Sequence, residues 1–215
     1  MVLEPAYDCE LCPRLSQFTR EWRSKEPHWF NGPVPVFADN NISNVELLIV
    51  GLAPGLRGAN RTGRPFTGDY AGDLLYKMLL RHGLATGVYK ERPDDGLVLV
   101  QTAIINAVRC VPPQNKPTPQ EINTCRQFLT PAFSHFPALK VVLTLGQIAH
   151  QSTVKALGGR VVAHPFKHNV ATQIDRLTVI SSYHCSRYNT NTGVLTEQMF
   201  DDVFVSVKRV IDPIL

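Results

Sequence analysis

Val45-Glu46-Leu47-Leu48-Ile49-Val50-Gly51-Leu52-Ala53-Pro54-Gly55 starts as an apolar run and closes in glycine and proline. Aliphatic side chains on consecutive positions, with turn residues at the end, read as a short strand buried on both faces. Leu97 to Ile105, Val141 to Leu145 and Leu177 to Ser181 repeat the pattern. Helical stripes lie between them. Leu74, Leu75, Met78 and Leu79 share one face, with Asp69 upstream in the position of a cap. Thr118-Pro119-Gln120-Glu121 is a capping box with proline at the first helical position. Met199, Phe200, Val203, Phe204, Val207, Val210 and Ile211 mark a C-terminal helix. Strands alternating with helices give an α/β class: one domain over 1–215, a three-layer α/β/α sandwich around a short parallel sheet. In such sheets ligands bind beyond the carboxyl ends of the strands. The Gly51–Gly55 stretch, Asn106 and Ser182-Tyr183-His184 fall there.

The chain has 215 residues, 44% of them hydrophobic and 19% charged, with a formal net charge of +4. That suffices for one sizeable core and is short for two. The mild positive excess is compatible with a nucleic-acid partner, and clustering of the charges would have to decide it. No apolar run approaches the ~20 residues that span a bilayer, so no membrane association is expected. Met1-Val2-Leu3-Glu4-Pro5 lacks the basic-then-apolar layout of a secretory signal. A cytoplasmic location follows as an expectation, and with it reduced thiols.

Five cysteines in a reducing compartment read as ligands or buried thiols. Cys9 and Cys12 form a C-x-x-C pair, while Cys110 and Cys125 form a looser one. Structural zinc usually takes two tight knuckles, and iron–sulfur clusters take four thiolates at varied spacing. Spacing alone leaves zinc, an iron–sulfur cluster and four metal-free thiols all open.

The segment from Gly51 to Asp69 carries most of the functional information. Its glycines allow backbone amides close to a ligand, and Arg57, Arg61 and Arg64 add positive charge. It has neither the Gly-Lys-Ser/Thr of a P-loop nor the glycine spacing of a dinucleotide fold. Composition by itself would fit an ordinary surface loop.

Gly51-Leu52-Ala53-Pro54-Gly55, followed by Asn60-Arg61-Thr62-Gly63-Arg64-Pro65-Phe66-Thr67-Gly68-Asp69, resembles motif A of the uracil-DNA glycosylase superfamily, family 5. Ser181-Ser182-Tyr183-His184-Cys185-Ser186-Arg187-Tyr188-Asn189 resembles its motif B, and Asn106-Ala107-Val108-Arg109-Cys110 the strand end that leads into the second cysteine pair. The resemblance runs from Cys9 into the final helix. It implies a uracil-DNA glycosylase-like fold, a monomer, and hydrolysis of the N-glycosidic bond of uracil and other deaminated bases such as hypoxanthine in DNA. It also implies a [4Fe–4S] cluster on Cys9, Cys12, Cys110 and Cys125. Two positions depart from the wider superfamily. Ala53 stands where its best-known branch has an acidic water-positioning residue, an absence that family 5 shares. Cys185 stands where proline usually follows the motif B histidine, so a changed loop conformation is expected.

The resemblance assigns roles residue by residue. Asp69 is expected to position or activate water and His184 to donate to the leaving base. Gly51, Leu52, Ala53, Gly55, Phe66 and Asn106 are expected to bind the base, with Phe66 stacking on it and the Asn106 amide reading its edge. Gly55 replaces a bulky residue of the narrow-specificity branch, which implies a roomier pocket. Arg57, Arg61, Ser186, Arg187 and Tyr188 are expected to contact DNA, the last two at the strand gap left by a flipped nucleotide.

Two other readings compete. A family 4-type enzyme would share the cluster and prefer uracil more narrowly, but that family has glutamate where this chain has Leu52. A metal-containing protein that recognises damaged DNA without cutting it belongs to another class.

Overall fold

The computed structural model describes residues 2–213; Met1, Ile214 and Leu215, the ends of the expected domain, lie outside them. The buried strands form the centre of the molecule. β1 (Phe37–Ala38), β2 (Leu47–Gly51), β5 (Thr102–Asn106), β6 (Val141–Leu145), β7 (Val170–Ile174) and β8 (Leu177–Ser182) build a six-stranded sheet in the order β1-β5-β2-β6-β8-β7. The four inner strands are parallel, as their continuous apolar character requires, and both edges are antiparallel. The sheet is therefore mixed, with a parallel centre.

Alternate side chains of each inner strand enter opposite cores. Leu47, Ile49, Ile104, Val141, Leu143 and Ile180 pack under α3 (Tyr70–Arg81) and α8 (Glu197–Ile211). Leu48, Val50, Ala103, Ile105, Val142 and Val179 pack against α5 (Ala132–His135), α6 (Gln147–Ala156) and the end of α4 (Pro119–Leu129). Helices on both faces complete three layers. α1 (Pro13–Lys25) meets α4 through a third, smaller cluster of Leu15, Val108, Cys125 and Phe128. Two short helices, α2 (Ala59–Thr62) and α7 (Arg187–Asn191), lie in the loops after β2 and β8. Among the described residues no helix is long and apolar enough to cross a membrane.

Local signals hold where a specific bond makes them. Asp69 caps α3, its side chain accepting from the Gly72 amide at 3.1 Å. Thr118 and Glu121 form the reciprocal capping box of α4. The Leu97–Ile105 run does not form one strand. It breaks at Gln101, whose φ of 53° is left-handed and whose amide donates to Asp39. The first part becomes β4 (Val98–Leu99), paired with β3 (Ala85–Thr86) in a separate ribbon, and the second becomes β5. Leu97 and Leu99 are apolar because they cover the α3 core from that ribbon, not because they belong to the central sheet.

Candidate active site

The parallel strands end together, with Gly51 of β2 in register with Asn106 of β5 and Leu145 of β6 with Ser182 of β8. Beyond these ends lies a cavity of about 530 Å³, whose walls include Ala53, Gly55, Phe66, Asp69, Asn106 and His184. Most of the expected site thus comes together in one place.

Gly51 itself does not face the cavity. A Cβ at that position would stand 2.4 Å from Asn106 Oδ1 and 2.7 Å from Phe66 Cζ. Glycine is required because the amide and the ring close over it, so its part is to make room for two walls of the pocket. Phe66 is held with a left-handed φ of 52°, and its carbonyl packs so tightly on α3 that a Cβ at Gly72 would lie 1.9 Å away.

Asn106 is 3% exposed, and its Oδ1 has no hydrogen-bond partner among the described residues. A buried acceptor without a partner is costly, of order 1–3 kcal/mol, and Asn106 is also one of the residues that line the cavity. Asp69 uses Oδ1 for the helix cap and turns Oδ2 toward the Gly55–Gly58 turn, 3.0 Å from where a Gly55 Cβ would begin. The helix cap therefore occupies one carboxylate oxygen and leaves the other beside the Gly55–Gly58 turn.

His184 follows β8 and is half-buried, its ring 6.1 Å from that of Phe66 at 30°. Burial lowers its pKa below the usual histidine value, against a smaller opposing effect of Asp69, and so favours the neutral imidazole. Its backbone is pinned by Asn189 Nδ2, which donates to the His184 carbonyl at 2.8 Å. Cys185, the residue after His184, is fully buried in the α3/α8 core, and its thiol donates to the Ala71 carbonyl.

The expected DNA contacts separate into groups. Ser186 caps α7 and, with Arg187, lines the cavity; the Arg187 guanidinium lies 5.2 Å from the centre of the Tyr70 ring. Tyr188 is 74% exposed and is not one of the residues that line the cavity. Arg57 is exposed, and Arg61 donates to its carbonyl and lines a separate groove with His28 and Trp29. Arg64 is not a surface charge of the loop. It is buried and bonds both oxygens of Asp95, at 2.9 and 2.7 Å, which pins the loop to the β3–β4 ribbon.

Asn115 reaches the same cavity and was not legible as a site residue. It follows Gln114 in a turn where both have left-handed φ, 55° and 57°. Pro112-Pro113-Gln114-Asn115 signals a turn, with nothing local to say which way its side chains face.

The four cysteines of the two pairs converge. Cys9, Cys12, Cys110 and Cys125 line one small cavity beside Leu15, Val108 and Phe128, and the Arg109 amide donates to Cys125 Sγ at 3.3 Å. Burial pushes the Cys110 thiol up to about 12 and Cys125 up to about 11. Among the described residues no three Cys, His, Asp or Glu side chains stand ready to hold a metal ion as they lie. Ala53 packs against this cluster and also lines the larger cavity, so the two sites share a wall.

Residues 37–208 match the model of the uracil DNA glycosylase superfamily. The chain is similar to the type-5 uracil-DNA glycosylase of Thermus thermophilus, 40% identical over 94% of this chain and 93% of that protein. It is similar at 36% identity to the type-5 enzyme of Pyrobaculum aerophilum, over 91% and 86% of the two chains. The type-5 enzyme of Mycobacterium bovis is also 36% identical, over 94% of this chain and 77% of that one. A match spanning the sheet, the cavity and both flanking helices makes this chain an enzyme of the uracil DNA glycosylase superfamily, in its type-5 branch.

Proposed function

We propose that this protein flips uracil and other deaminated bases, hypoxanthine among them, out of DNA and hydrolyses their N-glycosidic bond. One observation carries the reading: Asn106, whose Oδ1 is buried and unpartnered among the described residues, lines a cavity that also receives Asp69 and His184. An acceptor in that position matches the N3–H of uracil and the N1–H of hypoxanthine.

The bond from C1′ to the base breaks with its electron pair going to the base, and the sugar becomes oxocarbenium-like. Neutral His184 donates an N–H to the base oxygen on which that charge collects, in a site preorganised by Asn189 and Phe66. Phe66 stacks on the base. Water, oriented by Asp69 Oδ2, adds to C1′ and gives up its proton to that carboxylate or to solvent. Gly55 leaves space beside the base, which supports a range wider than uracil. Arg187 and Tyr188 approach the backbone and the gap in the stack.

The cysteine quartet fits an iron–sulfur cluster by chemistry: four soft donors from two segments, in apolar surroundings, with a backbone amide on one sulfur. Cys9, Cys12, Cys110 and Cys125 would hold it. Bound there, a [4Fe–4S] cluster supplies a covalent brace between the N-terminal segment and the wall that ends in Ala53. We read the enzyme as a cytoplasmic monomer.

Incubation with a uracil-containing oligonucleotide, followed by alkali, tests the activity directly. Strand cleavage at the uracil supports it. Tight binding without cleavage would favour a damage-recognition protein instead.

A further inference from the structure

The sheet edge beyond β8 carries an arm that the active site does not use. Residues 157–169 leave α6, turn at Arg160–Ala163, and return to the carboxyl end of β8, where Val170 pairs with Ser181. Three bonds lock the arm to motif B. Ser181 Oγ donates to the Lys167 carbonyl at 2.7 Å, the Asn169 amide to the Ser181 carbonyl at 2.7 Å, and the Tyr183 amide to His168 Nδ1 at 3.1 Å. The His168 ring lies flat on Tyr183, 4.8 Å between centres at 4°. Tyr183 is the residue before His184. The 167–169 limb of the arm is therefore fixed to the same end of the sheet as the cavity, while Arg160 follows the last turn of α6, where the Gly159 amide donates to the Val154 carbonyl.

Its charge is one-sided. Between Glu121 and Glu197 the only acidic residue is Asp175, and it lies in the β7–β8 turn at the opposite end of those strands. Arg160 and Lys167 are exposed on the arm and make no salt bridge among the described residues, and Arg187 lines the cavity with His184. Asp202, on α8, is the acid felt at His168. The arm tip is presented rather than packed, with Val162 95% exposed.

From this placement we infer that the 160–168 arm is a second DNA-binding surface: Arg160 and Lys167 contact backbone phosphates flanking the flipped nucleotide, on the β7 side of the cavity. The inference rests on DNA being the substrate. An arm that carries exposed cations and is anchored at Tyr183, one residue from His184, sets the register of the duplex over the pocket. Phosphate contacts fix position in this way without reading sequence. None of the residues expected from motifs A and B lies in this segment.

The test is binding to an undamaged duplex across a salt series, with the double variant Arg160→Gln/Lys167→Gln and with Arg209→Gln as a control for net charge. Arg209 is exposed on α8, away from this edge. Each phosphate contact contributes about 0.9 to the slope of log affinity against log salt, so the double variant should lose nearly two. Its deficit should shrink about tenfold between ~50 and ~200 mM salt by the same relation. Arg209→Gln should bind like wild type. A double variant with the slope and affinity of Arg209→Gln overturns the proposal, as does a wild type that does not bind the duplex. Failure of uracil excision in the same preparation would strike the catalytic reading alone, since this comparison uses undamaged DNA.

Discussion

Asp69 Oδ2 lies 3.0 Å from the point where a side chain at Gly55 would begin, while Asp69 Oδ1 caps α3 on the Gly72 amide. The residue expected to set pocket width and the residue expected to orient water are thus immediate neighbours. Gly55→Tyr should narrow the range, lowering hypoxanthine excision relative to uracil, and should also slow uracil itself by displacing the carboxylate. Gly55→Ala, with only a methyl group in tight contact, should show the rate effect with little change in the ratio. Steady-state comparison of the two bases checks both; an unchanged hypoxanthine-to-uracil ratio in Gly55→Tyr would contradict the steric account.

Asn106→Asp exchanges an amide for a carboxylate beside a base that leaves with negative charge. The lost donor and the added repulsion should together lower uracil excision by ~10²-fold or more, on the scale of removing one electrostatic contact. Melting should fall as well, because a carboxylate is costly to bury at a position only 3% exposed, so rates are compared well below the melting transition of the variant. Excision at the wild-type rate would remove Asn106 from base recognition.

Cys12→Ser or Cys110→Ser should abolish iron content and visible absorbance and lower soluble yield. Cys185→Ser should keep both the iron and the colour, although burying a hydroxyl in the α3/α8 core costs ~1–3 kcal/mol. Iron analysis against protein concentration is the measurement. An equal loss of iron in Cys185→Ser would show the ligand set to be wrong.

Arg64 and Asp95 form a buried, doubly bonded pair, and removing one partner strands the other. Asp95→Ala should cost ~3–5 kcal/mol. Burial works against the Asp95 charge, but Arg64 and the amides of Lys90 and Leu97 overcome it and hold the carboxyl well below the usual carboxylate range. A depressed folded-state pKa adds stability that is present above the unfolded value, near ~4, and is lost as pH falls through the folded one. Melts should therefore show this contribution intact at neutral and mildly acidic pH and failing only below about pH 4. A variant as stable as wild type at pH 7 would mean that the pair does not brace the loop.

The centre of the fold was legible because fully buried parallel strands leave continuous aliphatic runs, as Leu47–Gly51 and Val141–Leu145 do. β7 was not, because Val170-Ala171-Thr172-Gln173 is an exposed edge with no buried face to pattern it. Leu97–Ile105 misled for a related reason: ribbon and sheet both need apolar residues, and the turn at Gln101 has no glycine to announce it. In the site, Asp69, His184, Phe66 and Asn106 were traceable through their motifs, and the structure brings them to one cavity. Arg64 showed only its charge, since its partner Asp95 lies far along the chain. Asn115 was invisible for the same cause, its place at the cavity being set by the packing of its loop.

Single-turnover excision of uracil from a duplex oligonucleotide by Asp69→Asn and His184→Ala, beside DNA affinity and thermal melts, tests the catalytic assignment most directly. Asp69→Asn keeps an oxygen for the Gly72 amide, so a slower rate would report lost charge rather than a lost cap. The account predicts rate losses of ~10²–10⁴-fold for Asp69→Asn and ~10²–10³-fold for His184→Ala, with affinity and melting nearly unchanged. His184→Ala should hurt poor leaving groups more than good ones, while Asp69→Asn should affect both about equally. Wild-type rates in both variants, on every base tried, would contradict it and leave Asp69 as a helix cap and His184 as a buried ring.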